Sequence, residues 1–200
     1  MPLLRVRDLR SPYAGPFSLD LHAGECVAIL GPSGSGKTVF LRMIADLDPN
    51  TGSVMLGGQK REQWLAPAWR KKVIYQAAEP AWWEPTAGAH FSPSEKKTAL
   101  ALMSVLHLRT DLLDNDISRL STGERQRLAL LRALSRDPDV LLLDEPTAAL
   151  DQESATPVEE LLRNCMEKNL AIVLVTHSPQ QAERLGHRTL HLAAGRLEPA

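Results

Sequence analysis

Residues 31–38 read Gly31-Pro32-Ser33-Gly34-Ser35-Gly36-Lys37-Thr38 and follow the apolar run Cys26-Val27-Ala28-Ile29-Leu30. No other feature narrows the fold as much. A G-x-x-x-x-G-K-T segment that links a strand to a helix is the phosphate-binding loop, and that context is what gives the pattern its meaning. The glycines let the backbone curl until consecutive N–H groups point inward at phosphate oxygens. The helix behind the loop turns its positive end toward the same oxygens. Lys37 is placed to reach the β- and γ-phosphates, and the Thr38 hydroxyl to ligate Mg²⁺. The segment predicts an α/β chain that binds a nucleoside triphosphate.

The 200 residues suffice for one well-buried core, or a core with a small attached lobe. Hydrophobic residues at 44% and charged residues at 24% exclude a disordered chain. Lysine and arginine number 23 against 24 acidic residues, a formal charge of -1 that gives no reason for nucleic-acid binding. The basic group Arg70-Lys71-Lys72 reads as a solvated face. Cys26 and Cys165 stand far apart in no metal-binding spacing, which fits a reducing compartment. No apolar run approaches the roughly 20 residues of a membrane span, and no apolar leader follows Met1-Pro2. The expectation is a soluble chain that meets a membrane only through a partner.

Short strands are expected at 4–6 and 17–21, with a turn-rich stretch between them. Residues 39–47 have helical spacing, with Phe40, Met43, Ile44 and Leu47 on one face. Residues 53–56 and 72–75 read as further strands, and 79–91, with two prolines and the pair Trp82-Trp83, as loop. A helix is expected from Ser94 to residue 106, another over 124–134 and a third over 158–167. The uninterrupted apolar runs at 140–143 and 171–175 suit central parallel strands covered on both faces. A last hairpin is expected around Ala194-Gly195. Residues 1–200 thus read as one α/β domain, with a mostly helical subdomain inserted at about 79–120.

The strand at 140–143 runs into Asp144-Glu145. Acidic residues at the carboxyl end of a central parallel strand sit beside the phosphate loop, where ligands collect in open α/β sheets. Asp144 can hold Mg²⁺ directly or through water, and Glu145 is placed to polarise an attacking water as general base. His177, just past the strand at 171–175, reaches the same edge of the sheet, where an imidazole can touch the γ-phosphate or the water.

With those motifs in hand, the chain resembles the nucleotide-binding subunit of an ATP-binding cassette (ABC) transporter over essentially its whole length. Leu120-Ser121-Thr122-Gly123-Glu124-Arg125-Gln126-Arg127 is similar to the family's signature sequence, 141–146 to its second nucleotide motif with the catalytic glutamate, and Ala149-Leu150-Asp151 to the loop that crosses to the partner. His177 matches the switch histidine. The resemblance implies a P-loop ATPase fold of ABC type: a central mainly parallel sheet, a small antiparallel sheet and a compact helical subdomain. It implies ATP and Mg²⁺ as ligands, with Lys37, Glu145 and His177 catalytic. It also implies a head-to-tail homodimer in the ATP-bound state, in which Ser121, Gly123 and Glu124 of one copy approach the ATP held by the loop of the other. The expected partner is a separate integral membrane permease, with the chain peripheral on the cytoplasmic face of the inner membrane. No nucleic acid and no insertion of the chain itself are expected.

Three parts of the chain depart from the family pattern. The usual Ser-Gly-Gly-Gln is here Ser121-Thr122-Gly123-Glu124, so a β-branched residue stands where glycine allows the closest approach. The glutamine that senses Mg²⁺ and the permease aligns with Ala78, with Gln76 two residues early and Glu79 one late. Either side chain is a metal candidate, and Glu79 is preferred as the harder ligand. Tyr13 is the one aromatic placed to stack on adenine, with a plain surface tyrosine as the alternative. Short length and the Trp82-Trp83 loop resemble the ATP-binding subunits of small bacterial iron or metal exporters. A soluble regulatory or scaffold clamp with weak turnover is the alternative function.

Overall fold

The computed structural model describes residues 1–193 and 195–200, so half of the expected turn at Ala194-Gly195 lies outside the described residues. In chain order the elements are β1 (Leu4–Ser11), β2 (Ala14–Leu21), β3 (Cys26–Leu30), α1 (Lys37–Ile44), β4 (Thr51–Leu56), β5 (Gln59–Lys60), α2 (Ala66–Lys72) and β6 (Val73–Gln76). Then come α3 (Pro93–Met103), α4 (Thr122–Leu134), β7 (Val140–Asp144), α5 (Gln152–Met166), β8 (Ala171–Val175), α6 (Pro179–Leu185), β9 (Arg188–Ala193) and β10 (Arg196–Pro199), with short single turns between. The chain divides into two compact units, one of Met1–Tyr75, Pro138–Glu145 and Cys165–Ala200, the other of Gln76–Asp137 and Pro146–Asn164.

The first unit holds both sheets. One is antiparallel in the order β2-β1-β4-β5, and the other runs β10-β9-β3-β8-β7-β6. Within the larger sheet β3 pairs in parallel with β8 and β9, and β8 with β7, while β10 returns antiparallel along β9. The apolar runs at β3, β7 and β8 are buried throughout, apart from the partly exposed Leu30, as expected for strands covered on both faces. The smaller sheet alternates instead: Leu4, Val6, Phe17, Leu19 and Leu21 point inward. Helix α1 packs against strands of both sheets, with Phe40 meeting Phe17 at a ring separation of 4.8 Å. It ends earlier than its spacing suggests. Asp46 takes the left-handed conformation at φ 59°, which carries Leu47 off the buried face and leaves it 41% exposed. Helix α2 had no counterpart in the sequence expectations. Its fully buried Trp69 donates its indole N–H to the Ile44 carbonyl at 3.0 Å, tying the helix to the end of α1.

The second unit is mostly helical and takes in more of the chain than 79–120, because α4 and most of α5 belong to it. Ser92, two residues before the expected Ser94, caps α3: its hydroxyl accepts from the Glu95 N–H, and the Glu95 carboxylate accepts from the Ser92 N–H. Helix α5 starts six positions before residue 158 and runs through Pro157, giving up one backbone hydrogen bond.

Candidate nucleotide-binding site

The phosphate loop leaves β3 and enters α1, and two of its glycines have no room for a side chain. A Cβ on Gly31 would collide with the Leu192 carbonyl oxygen of β9. Gly36, at φ 102°, would put a Cβ 3.1 Å from that of Ala14, so the tip of the β1–β2 hairpin lies against the loop. Tyr13 sits beside Ala14 on that tip and is 89% exposed. Gly36 is the N-cap of α1, and no side chain caps the helix, so its first N–H groups stay available to an anion.

Lys37 is only 7% exposed, and its ammonium donates to the carbonyls of Gly31 at 2.8 Å and Pro32 at 2.9 Å. Burial lowers its pKa, and the nearby Glu145 and Asp144 carboxylates pull it back up. The Thr38 hydroxyl donates to Asp144 Oδ2 at 2.7 Å, and the Tyr75 hydroxyl donates to the same oxygen at 3.1 Å. Glu145, the next residue after β7, has a left-handed backbone at φ 49°, and its N–H bonds the Val175 carbonyl at 2.9 Å. That geometry turns its carboxylate toward His177: Oε2 accepts the His177 backbone N–H at 3.3 Å, and Oε1 lies 3.4 Å from Nε2. Burial raises the Glu145 pKa, with His177 as the main opposing influence. Lys37, Thr38, Asp144, Glu145 and His177 are therefore gathered at one edge of the first unit. Tyr75 is an addition that the sequence did not single out. Its only signal was a polar end on an otherwise apolar strand.

The second unit carries the remaining candidates. Ser121 caps α4, its N–H and its hydroxyl both donating to Glu124 Oε2, at 2.8 and 2.9 Å, while its oxygen accepts from the Glu124 N–H. A Cβ on Gly123 would lie 3.0 Å from the Leu150 side chain, which brings the signature segment against Ala149-Leu150. Gln76 closes β6 and is buried, with neither amide atom hydrogen-bonded. Glu79 lies in the following loop and is exposed. The Trp82-Trp83 pair is partly built into its own unit. The Arg132 guanidinium stacks 4.4 Å from one ring and 5.0 Å from the other and donates to the Ala81 carbonyl. Burial lowers the Arg132 pKa to about 10. His90 accepts the Trp83 and Glu84 N–H groups on Nε2 and bonds the Thr86 carbonyl through Nδ1. Trp83 nonetheless stays 65% exposed.

A glycine cradle, an open helix N-terminus, a buried ammonium and a hydroxyl–carboxylate pair fit a nucleoside triphosphate with a divalent cation, the site of a P-loop nucleotide hydrolase. The ABC transporter family model matches residues 15–148. The taurine import ATP-binding protein TauB of Roseobacter denitrificans is 38% identical over 186 residues, covering 88% of this chain and 68% of that protein. The thiamine import ATP-binding protein ThiQ of Salmonella typhimurium is 36% identical over 200 residues, covering 90% and 81%. Among solved structures, the dimeric cassette MJ0796 in a post-hydrolysis state with ADP and Pi superposes at a TM-score of 0.85, with 27% identity over 98% of this chain and 96% of that one. The chain belongs to the ABC transporter family, as one of its ATP-binding domains. Domains of this class are ATPases that work on ATP with Mg²⁺. Among the described residues, no helix is long and apolar enough to cross a membrane.

Proposed function

We propose that this chain is the ATP-hydrolysing subunit of a transporter whose membrane-spanning permease is a separate chain. The observation that carries the proposal is the gathering of Lys37, the Thr38–Asp144 pair and the Glu145–His177 pair at one edge of one unit. In this reading Gly31 to Thr38 cradle the phosphates and Lys37 binds the β- and γ-oxygens. Thr38 and Asp144 hold Mg²⁺, which when bound neutralises charge on the transferring phosphoryl group. Glu145 takes the proton of the attacking water, and His177 holds that carboxylate and the γ-phosphate in register. Of the two remaining metal candidates we choose Gln76 over Glu79, because a buried amide with no partner is costly unless a ligand completes it. Tyr13, beside the loop and uncovered, stacks on adenine.

The working unit is a homodimer in which Ser121 and Gly123 of one copy meet the γ-phosphate held by the other, so that ATP closes the pair and hydrolysis loosens it. The chain works at the cytoplasmic face of the membrane, and Trp83, exposed beside Arg132, is the anchor for the permease. The named import subunits among the relatives favour uptake of a small solute over the metal export that the Trp-Trp loop suggested. Purification from membranes with identification of the co-purifying chain tests this, followed by ATPase and transport assays of the reconstituted complex in both directions. A complex with a multi-span protein and substrate-stimulated hydrolysis supports it. Slow turnover with no membrane partner would point to the soluble clamp instead. Trp83→Ala is expected to abolish membrane recruitment while leaving the basal ATPase of the isolated chain near wild type.

A further inference from the structure

Asp144 Oδ2 accepts two hydroxyls, and only one of them, that of Thr38, belongs to the phosphate loop. The second comes from Tyr75, half-buried on β6 one strand away in the sheet. The Arg42 guanidinium of α1, pinned by a two-pronged pair with Asp48 at 2.8 and 2.7 Å, acts on the phenol through its charge. An ionised carboxylate can only accept, so the phenol hydroxyl is the donor and is aimed at Asp144. Tyr75 and Thr38 are thus two hydroxyl donors that fix one carboxylate oxygen from two sides. A phenylalanine at this place would fill the same space and leave the carboxylate held by Thr38 alone.

We infer that Tyr75 is a positioning residue for the metal: with Thr38 it locks Asp144 in the rotamer that presents its other oxygen to the divalent cation. Partners of this kind behind a ligand change metal affinity by about 10–100-fold when removed. The inference rests on Asp144 being a metal-side carboxylate, as proposed above. The test uses the full chain and Mn²⁺ as the probe cation. Affinity for the non-hydrolysable analogue AMP-PNP is measured by calorimetry with Mn²⁺ and again in EDTA, and the ratio of the two reports what the metal contributes. Tyr75→Phe is expected to cut that ratio about tenfold, with the EDTA affinity and the melting temperature unchanged. Tyr75→Leu, which also lacks the hydroxyl, is expected to cut it by a similar factor and serves if Tyr75→Phe does not fold. An unchanged ratio in a folded Tyr75→Phe overturns the inference, and so does an equal fall with and without metal. Asp144→Asn separates the two readings. If it collapses the ratio while Tyr75→Phe does not, only the positioning role falls. If Asp144→Asn leaves the ratio intact, the metal assignment falls with it.

Discussion

Helix α1 begins at Gly36 with no side chain over its first N–H groups, whereas α4 begins at Ser121 with a complete capping box. Both starts lie in glycine-bearing segments assigned to phosphate, yet they treat the same orphan donors in opposite ways. The α1 end is left open and backed by a buried ammonium, so it is ready for an anion as it stands. The α4 end satisfies itself: Glu124 occupies the Ser121 hydroxyl at 2.9 Å. An anion arriving there must displace a carboxylate of its own sign. Under the proposed function the first site binds alone, and the second engages only when a second copy supplies a phosphate strong enough to compete.

Removing the ammonium tests the open end hardest. Lys37→Ala is expected to weaken ATP binding by about 10²-fold or more and to abolish turnover; calorimetry showing unchanged affinity would break the comparison at its root. Next in size is the pH dependence of hydrolysis. Burial raises the Glu145 pKa, so the base is lost on acidification at a pH above the usual value of about 4.3, with the rate falling about tenfold per pH unit below that point. The linkage has a definite sign. A carboxyl whose folded pKa is raised costs stability once ionised, so Glu145→Gln is expected to melt higher than wild type at neutral pH, an advantage that vanishes below the ordinary carboxylate range. Ser121→Ala removes the cap of α4, costing about 1 kcal/mol and a melting shift of about 2–4 °C. It is expected to leave ATP affinity of the single chain intact while reducing ATP-driven dimer on size-exclusion chromatography. The smallest effect belongs to Glu124→Gln, which keeps the cap and removes the charge. It is expected to increase ATP-dependent dimer a few-fold, and a decrease would show that the carboxylate helps rather than hinders the closed state.

The open end was fully legible in the sequence because its chemistry is local: eight consecutive residues between an apolar run and a helix. The central strands were legible because burial on both faces leaves nothing polar in them. What escaped lacks such periodicity. Helix α2 buries Trp69 alone, and α6 is seven residues starting at a proline, so neither shows an apolar stripe. The start of α5 was hidden by Pro157, which a helix held by the burial of Ala155, Val158 and Leu162 tolerates. The stack of Trp82, Trp83, His90 and Arg132 joins a loop to a helix far along the chain, and its one trace in the sequence is an arginine set between Leu131 and Ala133 on the apolar run of α4. Gln76 and Glu79 were both legible as candidates, with the carboxylate preferred as the harder ligand; that Gln76 is buried and Glu79 exposed is what the sequence did not carry.

The collision that forbids a side chain at Gly31 has a consequence for how the protein is made. The carbonyl against that glycine belongs to Leu192, and β3, which carries the loop, lies between β8 and β9. The loop leaves the ribosome early and both of its neighbouring strands leave it late. During synthesis the phosphate loop is therefore a strand end without walls, unable to take its final curl until nearly the whole chain has emerged. Nucleotide cannot assist the folding of the first half, and any ribosome-bound fragment that stops short of β8 presents β3 as an apolar strand with two unpaired edges to the chaperones of the cell.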